Sequence, residues 1–69
     1  MKHQSVESST IQSVAHCPDT QTLEVKFHSG GTYHYHGVPA DLHSDLMNSD
    51  SVGKFLNSRI KGHYPHEAV

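Results

Sequence analysis

The chain has too little of several things to support most familiar chemistries. It holds one cysteine, Cys17, so no internal disulfide can form, and the usage fits a reducing compartment. No apolar run approaches the roughly 20 residues that a bilayer-spanning helix requires. The polar opening Met1-Lys2-His3-Gln4 lacks the apolar stretch of a secretory signal, so the expected location is the cytoplasm, with no membrane partner. Lysine and arginine number five against seven acids, for a net charge of −2 with histidine neutral. That balance argues against a protein that grips nucleic acid mainly through counterion release. A chain of 69 residues makes one domain that buries only about 60% of its unfolded surface, and a deep active-site cleft is not expected. The sequence shows none of the spaced cysteine or histidine pairs of a structural metal site, no oxyanion-hole motif and no glycine-rich loop leading into a helix. A structural zinc site, acyl transfer and a phosphate loop are therefore not indicated, and neither catalysis nor a cofactor is expected.

What the chain does have is histidine, eight of them, and a strong alternating pattern. With an unperturbed imidazole pKa of about 6.5, the net charge turns positive near pH 5.5. Residues 1–7 carry almost no apolar side chains and are expected to be loose. Ile11 to Cys17 reads as a strand with Ile11, Ser13, Ala15 and Cys17 on one side, ended by Pro18-Asp19-Thr20. In Thr22 to His28, Leu23, Val25 and Phe27 alternate with polar residues, the signature of a half-buried antiparallel strand. Ser29-Gly30-Gly31 turns the chain into a third strand, Thr32 to His36. A three-residue loop there pairs Phe27 with Tyr33 and Val25 with Tyr35, placing the large apolar groups on one face and His34 and His36 on the other.

Pro39 suits the start of a helix whose apolar stripe is Leu42, Leu46 and Met47, with Asp41 in its first turn. Asn48 to Ser51 breaks that helix and caps the next, in which Val52, Phe55, Leu56 and Ile60 follow helical spacing and Gly62 ends the run. The expected fold is α+β: a three-stranded antiparallel β-meander followed by two short α-helices packed on one sheet face. The domain is expected to span residues 8–64, and 65–69 reads as a tail.

The arrangement Ser8-Ser9-x-Ile11, Thr22-Leu23-Glu24-Val25-x-Phe27, Gly30, Tyr33-x-Tyr35, Gly37-Val38-Pro39 and Ser51-x-Gly53-x-Phe55-x-Asn57-x-x-Ile60 with Tyr64 resembles the KTSC domain. That domain is named from its place at the C-terminus of some lysyl-tRNA synthetases, and free-standing members occur in bacteria and phages. The resemblance implies a small binding module without catalytic activity, and RNA binding has been suggested for the family from the synthetase association. The family's central motif falls on Tyr33 and Tyr35.

Candidate contact residues for RNA or a nucleotide are Tyr33, Tyr35, His34, His36, Arg59 and Lys61. Tyrosines on a sheet stack bases in single-strand readers, although two aromatics beside an apolar strand also serve a small core. Arg59 and Lys61, with Lys54 and His63 nearby, suit phosphates, although cations at a helix end also complement its dipole. His34 and His36 have Cβ atoms roughly 6.5–7 Å apart at strand geometry. They are the weak candidates for a zinc pair, with His28 or His16 as a third ligand, and solvated surface histidines are the plainer reading. Cys17 beside His16 forms a nucleophile and base only by proximity in sequence. The alternative to nucleic acid is a protein-interaction or self-association module, because a second subunit would cover surface that so short a chain leaves open.

Overall fold

The structure, a computed structural model, describes residues 2–69; Met1, part of the segment expected to be loose, lies outside the described residues. Its centre is the alternating strand. Leu23 and Val25 are fully buried while Glu24 and Lys26 face outward, which sets the two sides of an antiparallel sheet. The sheet has five strands, not three: β1 (Gln4–Ser5), β2 (Ile11–Cys17), β3 (Thr22–Phe27), β4 (Thr32–His36) and β5 (His66–Ala68), ordered as they occur in the chain. The two additional strands come from the segment expected to be loose, residues 1–7, and from the segment read as a tail, residues 65–69. β1 sets Gln4 opposite Val14 and Ser5 opposite Ser13, and β5 sets Ala68, Glu67 and His66 opposite Tyr33, His34 and Tyr35. Main-chain N–H and C=O groups along β2 and β4 take partners whatever side chains the partner carries, so these edges leave no alternating signature.

The β3–β4 hairpin turns one residue earlier than expected. Phe27 N–H donates to Gly31 O at 2.9 Å and Gly30 N–H to Phe27 O at 3.0 Å, making His28-Ser29-Gly30 the loop. Gly30 takes the left-handed conformation at φ +101°, which a Cβ would disfavour. The pairs are accordingly Val25 with Tyr33 and Leu23 with Tyr35, two residues from the expected register. A shift of two preserves which side each residue faces, so the tyrosines and histidines still occupy opposite faces.

In β2 the expected facing is corrected by a bulge. Ile11 lies opposite Phe27 but Ser13 lies opposite Lys26, leaving Gln12 as the extra residue. The bulge lets Ile11 and Val14 both enter the core, and Ser13, Ala15 and Cys17 turn to the outer face in line with Lys26, Glu24 and Thr22.

Two helical segments cover the inner face. Helix α1 (Ala40–Met47) starts after Pro39, with Asp41 in its first turn, and buries Leu46. Helix α2 (Val52–Phe55) is capped by Ser51, whose Oγ accepts from Lys54 N–H at 3.4 Å. It widens into a π turn over Leu56–Ile60, where Lys61 N–H reaches back to Leu56 O at 2.7 Å. Val38, Leu46, Val52, Leu56 and Ile60 meet Ile11, Val14, Leu23, Val25 and Tyr35 in one core.

Candidate functional site

Alternation along β4 divides the residues singled out from sequence among separate regions of the molecule. Tyr35 points inward and is 3% exposed; burial pushes its phenol pKa up. Tyr33 is half-buried, meeting the Phe27 ring edge-on at 5.7 Å, and His66 of β5 lies against both tyrosines. The pair is built into the core and its margin, so no open aromatic platform stands on the sheet.

The opposite face carries a histidine and carboxylate array. His34 Nε2–H donates to Glu24 Oε1 at 2.7 Å, while His3 Nε2 bonds the other oxygen of the same carboxylate. His3 Nδ1 and Ser13 Oγ lie 2.9 Å apart. These imidazoles hold Glu24 below the usual carboxylate range, the His3 bond being the larger cause. His36 donates to Glu67 Oε1 at 3.1 Å, and the His34 and His36 rings are 6.3 Å apart. His28 and His16 do not join them. His28 Nε2 is bonded to Ser8 O at 3.0 Å in the hairpin region, and His16 Nε2 to Val38 O at 2.7 Å on the inner side. Among the described residues no three His, Cys, Asp or Glu side chains are grouped to hold a metal ion.

Cys17 and His16 are neighbours along β2 and so project from opposite faces. The His16 ring stacks on His43 of α1 at 4.9 Å. Hydrogen bonds from the Thr20 side chain and backbone lower the Cys17 pKa, and among the described residues no imidazole is one of the groups that shift it.

The cationic pair separates as well. Arg59 lies over the Phe55 ring at 5.4 Å, whereas Lys61 borders a cleft of about 380 Å³ between the start of β2, the β3–β4 loop and the π turn. Ile11, Phe27 and Leu56 make its apolar floor. Its polar border comes from Ser9 and Thr10 on one side, Asn57 and Lys61 on another, and His28 with Ser29 at the hairpin. No carboxylate lines it.

Local bonding explains the shape. Ser8 Oγ accepts from the N–H groups of Thr10 and Ile11, each at 3.2 Å, bending the chain into β2. His28 N–H donates to Thr10 O at 2.9 Å and fastens the hairpin to that bend. Gly53 lets α2 approach closely: a Cβ there would stand 3.2 Å from Thr10 Oγ1 and 3.4 Å from Ser8 Oγ. The residues that converge here come from the start, middle and end of the chain; sequence singled out Lys61 as a phosphate contact and Ser8-Ser9, Gly53 and Asn57 by their spacing, but not their meeting.

Residues 7–64 match the KTSC domain model. The chain belongs to the KTSC domain family. The KTSC domain protein of Yersinia pestis, known from its crystal structure, is similar at 38% identity with a TM-score of 0.95, over 99% of this chain and 96% of that one. A protein of Tsukamurella paurometabola is 40% identical over 58 residues, covering 84% of this chain and 87% of the relative. The lysine–tRNA ligase of Nostoc punctiforme is 39% identical over 63 residues, 91% of this chain but 11% of the ligase. KTSC sequence thus occurs both as nearly the whole of a small protein and as a minor part of a large one. No helix among the described residues is long and apolar enough to cross a membrane.

Proposed function

We propose that this KTSC domain is a non-enzymatic binding module for RNA, with Lys61 and the cleft it borders as the point of contact. The observation that carries the reading is the composition of the cleft. Its border has Lys61, hydroxyls, an amide and an imidazole with no carboxylate, in a chain where acids outnumber bases seven to five. An anionic partner meets attraction there and little repulsion. The occurrence of the domain within a ligase named for tRNA supports RNA over other polyanions. Arg59, Tyr33, Tyr35, His34 and His36 do not line the cleft and are left out of the proposed contact.

Titration of the labelled protein with tRNA tests this. Amide shifts centred on Ser9, Gly53, Asn57 and Lys61 are expected. The logarithm of the affinity should fall against the logarithm of salt concentration by roughly 0.7 for each single-strand phosphate engaged. A slope of zero, or shifts centred on the outer sheet face around Glu24, would count decisively against the proposal.

A further inference from the structure

We propose that the cleft is a pocket for one nucleotide: the base lies on the Ile11, Phe27 and Leu56 floor, Asn57 reads its edge, and Lys61 meets its phosphate. This rests on the reading of the cleft as the RNA contact and adds what it recognises there. Four observations lead to it. The volume of about 380 Å³ lies within the roughly 300–1,000 Å³ of sites that enclose small molecules, so it suits a single unit of a polymer and not a duplex. An apolar floor beneath a polar border matches a ligand with a flat unsaturated ring and a hydrated periphery.

The border chemistry is also divided by position. Asn57 presents a carbonyl and an amide together, the donor and acceptor pair that matches a base edge. Lys61 stands four residues further along, beside the same opening. Ser9 and Thr10 add hydroxyls to the same lining, where a ribose can share hydrogen bonds. The fourth observation is the π turn. Asn57 lies within it and Lys61 closes it through the bond to Leu56 O. Such widened turns recur at functional sites because they re-aim side chains that a regular helix would direct elsewhere.

Binding to an unstacked nucleotide fits RNA recognition in general, in which splayed bases and not paired helices carry sequence information. It also fits the net charge of −2, because one phosphate and one base make little demand on overall charge.

The experiment is a two-dimensional NMR titration with each of the four 5′-ribonucleoside monophosphates. Separate arms use the matching nucleosides, inorganic phosphate and a short single-stranded RNA. Saturable shifts confined to Ser9, Thr10, Gly53, Asn57 and Lys61 are expected with the monophosphates, and nucleoside or phosphate alone should bind at least about tenfold more weakly. Asn57→Ala should reduce the differences among the four bases, and Lys61→Met should weaken all four alike. Both residues are exposed, and an unchanged spectrum without ligand confirms that the variants fold. If RNA moves the Lys61 resonance while no monophosphate binds at about 10 mM, the nucleotide pocket is overturned and the RNA reading survives. If inorganic phosphate binds as well as the nucleotides, the site is for phosphate only and the pocket is likewise overturned. Silence in every arm overturns both.

Discussion

Below neutrality, His43 and Glu24 are side chains whose protonation the fold opposes, and they act in the same direction. The His43 Nε2 atom is enclosed with no hydrogen-bond partner among the described residues. Burial, with His16 stacked beside it, lowers its pKa from the ordinary 6.5. The folded state therefore binds fewer protons at this ring than the unfolded state does. Its contribution to stability is complete above pH 6.5 and declines as pH falls below that value. Glu24, lowered from 4.5 by the His3 and His34 bonds, contributes fully above pH 4.5 and loses that contribution in more acidic solution. Urea unfolding followed from pH 7.5 downward should thus show two successive losses, in the ranges the two side chains set. His43→Gln should remove the first and Glu24→Gln the second. An unchanged profile in His43→Gln would show that its enclosure has no energetic consequence.

At the level of elements, the attachment of α1 rests on one fully buried side chain, Leu46. Leu46→Ala should cost about 2–5 kcal/mol, measured as a fall in the urea midpoint, with α1 amides losing protection from hydrogen exchange before those of β3. The bulge gives a sharper test. Gln12 is the supernumerary residue opposite β3, so its deletion leaves Ile11 and Val14 on the inner side and the protein should fold. With Ile11 still opposite Phe27 and Ser13 opposite Lys26, the Ser8 to Thr10 bend keeps its place beside the hairpin, and ligand shifts should survive along with the sheet. Legibility followed the same boundary between local pattern and distant contact. Strands β3 and β4 were readable because Leu23, Val25 and Phe27 alternate and Gly30 marks the turn, and the inward tyrosines and outward histidines survived a register displaced by two. The facing of β2 was not readable, since a bulge reverses parity without any change in composition. Gln4–Ser5 and His66–Ala68 were hidden because edge pairing uses only the main chain. The cleft was hidden because residues 9–11, 27–29 and 53–61 meet only after folding.

For the molecule as a whole, the governing quantity is a net charge that eight histidines make adjustable. Between pH 7.5 and about 6 the chain loses negative charge. Affinity for tRNA at fixed ionic strength should therefore rise over that interval even as stability begins to fall. Fluorescence anisotropy with labelled tRNA measures it, and affinity that declined with acidification would mean that repulsion between chain and polyanion is not what limits binding. The body is nearly isometric, with extents of 28 × 24 × 24 Å, so all of this surface lies within a short distance of the cleft.

The strand order β1-β2-β3-β4-β5 means that every hydrogen-bonded neighbour in the sheet is also the next strand in the chain. The connections among β1, β2, β3 and β4 are short, a pattern associated with rapid assembly, whereas residues 37–65, which carry the helices, join β4 to β5. During synthesis each of the first four strands can zip onto its predecessor soon after leaving the ribosome, and β5 closes the sheet once the helices are in place. A domain with that economy of wiring can be stitched onto a much larger enzyme without delaying the maturation of its host.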